Sequence, residues 1–150
     1  MLAVRDARPT DEDALLRSTL GNAFESEGIR LDEAVARRGV RALLADPGKG
    51  RALVAELDGQ PVGSLYVTFE WSDWHAQWYW WIQSVYVVPE RRGTGVYSAL
   101  YRHLQGQARA AGNVRAVRLY VESNNENALR AYRGHGMQQA PYEVFEWVTR

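Results

Sequence analysis

The sequence predicts a mixed α/β domain, and three observations carry that expectation. Two apolar-alternating runs, 51–57 and 62–71, are joined by Asp58-Gly59-Gln60-Pro61, a hairpin-type connection. Over 97–111, Tyr97, Leu100, Tyr101, Leu104, Ala108 and Ala111 fall at helical spacing before a stop at Gly112. A run over 114–121 then alternates Val117, Leu119 and Val121 against Arg118 and Tyr120, completing one β-α-β unit.

The remaining elements follow in chain order. Residues 2–7 alternate weakly and read as a strand. Arg8-Pro9-Thr10-Asp11 opens a helix, with Thr10 the expected cap and Asp11, Glu12 and Asp13 at the positive dipole end. A second helix is expected over 31–45, with Ala34, Val35, Arg38, Leu43 and Leu44 partly on one face and Asp46-Pro47-Gly48 as its stop. A third strand, 78–88, follows the hairpin. A short helix over 125–133 ends among Gly134 and Gly136, and residues 142–148 have the pattern of a last strand. No repeat, low-complexity tract or linker interrupts this order, so one domain over residues 1–150 is expected.

Bulk composition excludes several function classes. A chain of 150 residues, 46% hydrophobic and 24% charged, has the balance of an ordinary globular domain with one core. Lys+Arg 18 against Asp+Glu 18 leaves no long-range field to gather nucleic acid or an anionic membrane. There are no cysteines, which removes disulfides, thiolate nucleophiles and Cys-ligated zinc. His75, His103 and His135 lie far apart and form no ligand pair, so no metal is expected. The acidic start and the lack of a long apolar run fit a cytoplasmic protein.

The most informative segment is Val85-Tyr86-Val87-Val88-Pro89-Glu90-Arg91-Arg92-Gly93-Thr94-Gly95-Val96-Tyr97. An apolar strand runs into a basic glycine turn and directly into an amphipathic helix. Such a turn aims backbone N–H groups at one point, and the helix start adds unsatisfied donors and a positive dipole end. A P-loop would need Lys-Ser/Thr after the second glycine, and a dinucleotide fingerprint would need a third glycine where Ser98 stands. Glycine spacing alone leaves two readings open: a phosphate cradle, or a tight turn with no ligand.

At this point the chain resembles the GNAT acetyltransferases, whose signature is a strand, Arg-x-x-Gly-x-Gly/Ala and a helix. Arg92-Gly93-Thr94-Gly95-Val96 matches, with Tyr97 where the family usually has Gly or Ala. A second match follows at Asn125-Glu126-Asn127-Ala128-Leu129-Arg130-Ala131-Tyr132-Arg133-Gly134-His135-Gly136-Met137, similar to the family's Asn-x-x-Ala-x-x-x-Tyr-x-x-x-Gly-Phe/Met. The resemblance spans essentially the whole chain and implies a GNAT fold, a central, mostly antiparallel sheet flanked by about four helices. It implies acetyl-CoA as co-substrate and no metal. Backbone groups of Val85, Tyr86 and Val87 would hold the pantetheine arm, with the Val87 amide a donor to the thioester carbonyl. Arg92, Gly93, Thr94, Gly95, Val96, Tyr97 and Ser98 would embrace the pyrophosphate. Asn125 would contact the pantetheine region, and Tyr132 would be the general acid.

Acceptor-side residues are less constrained. The strand before the turn reads Trp80-Trp81-Ile82-Gln83-Ser84-Val85, without the Glu or Asp that relatives often place there, so a base would come from Glu25, Glu27, Glu70, Asp73, Glu122 or water. Five of the six tryptophans lie in 71–81. Either they wall an acceptor channel, with Glu27, Trp71, Trp81 and Gln83 as substrate contacts, or they fill the core on one face and a subunit interface on the other. The expected activity is acetylation of a small-molecule primary amine. Its rivals are acetylation of a protein Lys or N-terminus, and a non-catalytic acyl-CoA sensor. A homodimer is the one macromolecular partnership expected.

Overall fold

The computed structural model covers Met1–Arg150, and its contacts group the chain into two units, Met1–Leu119 and Tyr120–Arg150. The first unit runs β1 (Leu2–Asp6), α1 (Glu12–Glu27), α2 (Glu33–Ala45), β2 (Arg51–Leu57), β3 (Gln60–Ser72), β4 (Gln77–Val87), α3 (Val96–Ala111) and β5 (Val114–Leu119). These strands form one sheet in the order β1-β2-β3-β4-β5. β1 to β4 pair antiparallel, and β5 joins β4 in parallel through the α3 crossover.

Local chemistry explains the order. Asp58 and Gly59 sit at φ 51° and 79° between β2 and β3. Positive φ at both central residues matches the twist of a two-residue hairpin. The stop at Gly112 is a left-handed helix cap, φ 74°. Asp32 caps α2 by accepting the Val35 amide at 3.1 Å.

Two layers cover the sheet. On one face Leu15 of α1 and Val40 of α2 pack on Ala52, Val54 and Tyr66. The buried Tyr66 hydroxyl donates to the Leu15 carbonyl at 3.0 Å and meets Thr19 Oγ1 at 3.1 Å, and burial pushes this phenol up from its ordinary value. On the other face α3 presses on Gly63, where a Cβ would lie 2.8 Å from Val96 Cγ1 and 3.3 Å from Leu100 Cδ1. Only glycine lets the start of α3 approach β3 this closely.

Thr10 does not cap α1. The Arg8 amide instead donates to the Asp11 carboxylate at 2.6 Å, and Arg5 grips the same carboxylate through two nitrogens, at 2.8 and 2.9 Å. Arg5 also pairs with Glu56. A carboxylate reaches this guanidinium as a bidentate acceptor, which a threonine hydroxyl cannot. Asp11 is 5% exposed, and the Arg5 guanidinium holds its carboxyl below the usual range.

The second unit carries α4 (Glu126–Gly134), whose cap Asn125 accepts the Ala128 amide at 3.1 Å. The last strand expected over 142–148 is absent: residues 137–150 lie in no helix or strand. Alternation supplies faces, but a strand also needs a ladder partner, which periodicity cannot report.

The Arg5–Asp11 pair yields a prediction with a definite sign. Because the folded Asp11 pKa is depressed, its stabilisation is complete above the ordinary carboxylate range and is lost as pH falls through the folded value. Asp11→Asn should cost about 3 kcal/mol in urea unfolding at neutral pH. The gap to wild type should shrink below about pH 4; a gap constant down to strong acid would show that the charge is not responsible.

Candidate functional site

The site begins where two parallel strands separate. β5 pairs with Trp78 to Ile82 of β4 and no further. β4 runs on to Val87, so Ser84 to Val87 keep their ladder to β3 and present an open edge on the other side. The separation coincides with a bulge: Tyr66 faces Ser84 while Val67 faces Ile82, leaving Gln83 as the extra residue.

Backbone alternation decides which groups use that edge. The Val88 amide donates to the Val62 carbonyl on β3 at 2.9 Å. Neighbouring peptide groups point oppositely along a strand, so the N–H and C=O of Val85 and Val87 face the open edge, and those of Tyr86 face β3. The Val87 carbonyl is in fact taken from outside, accepting Arg92 Nε at 2.9 Å.

Beyond Val87 a single 3-10 turn, Pro89–Arg91, leads to Gly93 at φ 74° and Gly95 at φ 90°. A Cβ at either glycine would meet no atom within 4 Å. What excludes larger residues is therefore backbone strain, and the space in front of the turn is open. Gly95 is the cap residue of α3, and no side chain caps that helix end. The Thr94 hydroxyl turns back to donate to the Arg91 carbonyl at 2.5 Å. A helix start left without a side-chain acceptor, facing open space, is suited to an anion.

Arg92 is an anchor of this turn. Besides the Val87 carbonyl it holds the Glu25 carboxylate of α1 at 2.7 Å, and its guanidinium stacks 5.5 Å from the Tyr86 ring centre. Burial first, and then the Glu25 charge, push the Tyr86 phenol up. Sequence reading gave Arg92 to the coenzyme and Glu25 only to a pool of candidate bases; no local pattern signals a pair separated by 67 positions.

The acceptor candidates divide between faces. Gln83 Nε2 donates to Thr68 Oγ1 at 2.7 Å, and Trp81 Nε1 donates to Glu70 at 3.2 Å, both on the α1/α2 face with Tyr66. Arg118 of β5 lies 3.6 Å over the Tyr79 ring on the same side. Trp71 stands on the opposite face, edge-on to Trp78 with centroids 4.9 Å apart, in a cluster with Phe69 and Trp80. One continuous tryptophan wall is thus not formed, because β3 keeps strict alternation from Thr68 to Trp71. Glu27 is an exposed residue at the end of α1, before the left-handed Gly28. Asp73 lies in the exposed turn after β3.

Above Tyr66, an open cleft of about 360 Å³ between α1 and α2 is lined by Thr19, Leu31, Asp32, Val35, Leu43 and Tyr66. In the second unit, Asn125 and Tyr132 occupy the cap and the last turns of α4. Asn125 therefore serves as a helix cap, whatever else it contacts. No group of His, Cys, Asp and Glu is arranged to hold a metal ion, and no helix is long and apolar enough to cross a membrane.

Comparison with curated protein sequences returns no match. Among solved structures, a possible acetyltransferase from Clostridium difficile 630 is 35% identical with a TM-score of 0.95, over 100% of this chain and 99% of that one. A ribosomal-protein-alanine N-acetyltransferase from Brucella melitensis biovar Abortus 2308 is 18% identical, TM-score 0.77, over 99% and 100%. An aminoglycoside acetyltransferase from an uncultured soil metagenomic sample is 17% identical, TM-score 0.79, over 99% and 96%. The last two share the fold. A model of the Acetyltransferase (GNAT) family matches residues 15–137. With strand separation, glycine turn and whole-chain likeness in agreement, the chain belongs to the GNAT acetyltransferase family.

Proposed function

We propose that this protein is an N-acetyltransferase that moves an acetyl group from acetyl-CoA to a primary amine of a small molecule. The observation that carries the reading is the uncapped start of α3 facing open space beside the free edge of β4. A diphosphate fits the turn from Gly93 to Ser98, and an amide-bearing arm fits the outward groups of Val85 and Val87. The coenzyme supplies an activated thioester.

The chain's own groups then have defined work. Amine attack builds negative charge on the carbonyl oxygen, and the Val87 amide offers a fixed donor to it; losing one such donor typically costs about 10²–10³ in rate. The departing thiolate needs a proton, which the family motif assigns to the Tyr132 phenol. A reference pKa of about 10 lets a phenol serve a thiolate formed beside it. The apolar cleft over Tyr66 is of the size of small-molecule sites, which favours a small acceptor.

The carboxylates on the α1/α2 face already have partners, including Asp32 at the cleft, which accepts the Val35 amide. Glu25 is engaged by Arg92, and Glu70 by Trp81 with Arg118 3.8 Å away. Gln83 and Ser84 at the bulge can only position water. The acceptor therefore arrives as the free amine, and kcat/KM should climb with pH along the acceptor's own ionisation. A profile already level by about pH 5 would mean that a carboxylate takes the proton.

Two substitutions test the assignment. Gly95→Val puts a β-branched side chain at φ 90° in front of the turn. It should abolish CoA binding by calorimetry while costing only about 1–3 kcal/mol of stability; retained affinity would remove the turn from the coenzyme site. Tyr132→Phe should lower kcat by roughly 10²–10⁴ at near-unchanged CoA affinity, and an unaltered kcat would reject the proton-donor role. Thiol release with a panel of amines separates the readings of the whole protein: tight CoA binding without turnover on any amine would favour the non-catalytic sensor, a reading that Gln83 at the bulge keeps in play.

A further inference from the structure

A notch in α2 shapes the cleft over Tyr66. Val35, Gly39 and Leu43 stand four residues apart on this helix, so they form one ridge, and all three line the cleft. The middle position carries no side chain. Glycine inside a helix is disfavoured against every ordinary residue, and neither backbone nor packing requires it here. Gly39 keeps a helical backbone, outside the left-handed region, and a Cβ on it would meet nothing within 4 Å. Gly21 of α1 is the contrasting case, since a Cβ there would lie 2.8 Å from the Tyr86 hydroxyl. What Gly39 supplies is room: α2 gives up helix propensity, and the cleft gains the space of a side chain.

The chemistry of the walls narrows the guest. Leu31 and Val35 line the cleft while remaining 39% and 54% exposed. Apolar side chains left in water around a concave site mark a ligand groove. The hydroxyls of Thr19 and Tyr66 are spent on each other and on the Leu15 carbonyl. Asp32 is the one charged side chain of the lining, and it already caps α2. No Lys or Arg lines the cleft, so a carboxylate or phosphate on the guest would lose water without gaining a partner. A polycation would bring several ammonium groups to a single carboxylate.

The floor of the cleft leads to the point where β4 and β5 part. Tyr66 pairs with Ser84, and directly opposed residues share a face, with Cβ atoms about 4.5–5.5 Å apart. Ser84 and Gln83 stand at the bulge, just beyond the end of the β4–β5 ladder. We propose that the cleft takes the apolar body of a primary monoamine, alkyl or arylalkyl, with its nitrogen toward the bulge, and that the gap at Gly39 sets the length of body admitted. This inference rests on the acyl-transfer reading for the identity of the reacting group.

The test uses the full chain and the n-alkylamines from ethylamine to hexylamine. These share one ionisation and differ only in hydrocarbon, so chain length is separated from the fraction of free amine. In thiol release, kcat/KM should climb about fourfold for each added methylene, chiefly through KM. Gly39→Leu fills the notch with a good helix former. It should cut the hexylamine-to-ethylamine ratio about tenfold or more, with CoA affinity by calorimetry unchanged and Tm not lowered; Gly39→Ala should fall between. Nuclear magnetic resonance titration of the same amines, with CoA in excess, reads the cleft without turnover. Length-dependent binding that Gly39→Leu removes, in a protein that turns over no amine, would support the cleft and overturn acyl transfer. Turnover that is flat along the series, or faster with putrescine, glycine or a Lys peptide than with hexylamine, would overturn the cleft proposal and leave acyl transfer standing. A hexylamine preference untouched by Gly39→Leu would likewise overturn it.

Discussion

The constraint on which the candidate site depends is the early end of the β4–β5 ladder. Parallel strands in a continuous sheet would satisfy each other's peptide groups along their full length. Here the ladder stops at Ile82, and Ser84 to Val87 of β4 are paired on one side only. Unpaired peptide groups inside a sheet are costly unless a ligand or water takes them up. The bulge at Gln83 lies at the point of divergence, where one extra residue turns Gln83 and Ser84 toward the same face. The opening of the edge and the re-aiming of two polar side chains thus have one structural cause.

The glycine turn follows from the same geometry. To cross from β4 to a parallel β5, the chain must start α3 directly over the sheet, and Gly63 removes the one side chain that would hold the helix away. The turn is then fixed from below by Gly63 against Val96 and from the side by Arg92 on the Val87 carbonyl and Glu25. Its outer surface carries no packing of its own. Positive φ at Gly93 and Gly95 bends the backbone without adding side chains to the space in front.

Much of this was legible in the sequence, and the exceptions share a reason. β2, the α3 spacing and the strand-turn-helix at 85–97 could be read because each is encoded by residues near one another: alternation, helical period and glycine at a turn. The Asp58-Gly59 hairpin was visible for the same reason. Thr10 fits a cap because hydroxyls suit that role locally, but Arg5 on β1 and the Arg8 amide gather the carboxylate of Asp11 instead. Whether the tryptophans of 71–81 share a face is open to a sequence because it depends on pairing across two strands, which separates Trp71 from Trp81. A bulge is invisible to periodicity, since one inserted residue reads as ordinary variation. The 142–148 run failed as a strand for the complementary reason, having the pattern but no ladder in the single chain.

The neutral overall charge has a local counterpart that bears on recognition. Arginines around α1 are matched with acids: Arg5 with Asp11 and Glu56, Arg37 with Glu12 and Asp13, Arg92 with Glu25. At the turn this means that Arg92 already has a carboxylate 2.7 Å away. Beside the exposed Arg91, attraction for an anion there draws on oriented peptide dipoles, which are fixed in direction and act within the first turn of the helix. Such a site discriminates by shape more than by charge. An anion that could reach several amides of Gly93 to Ser98 at once would gain more there than one drawn only by positive potential.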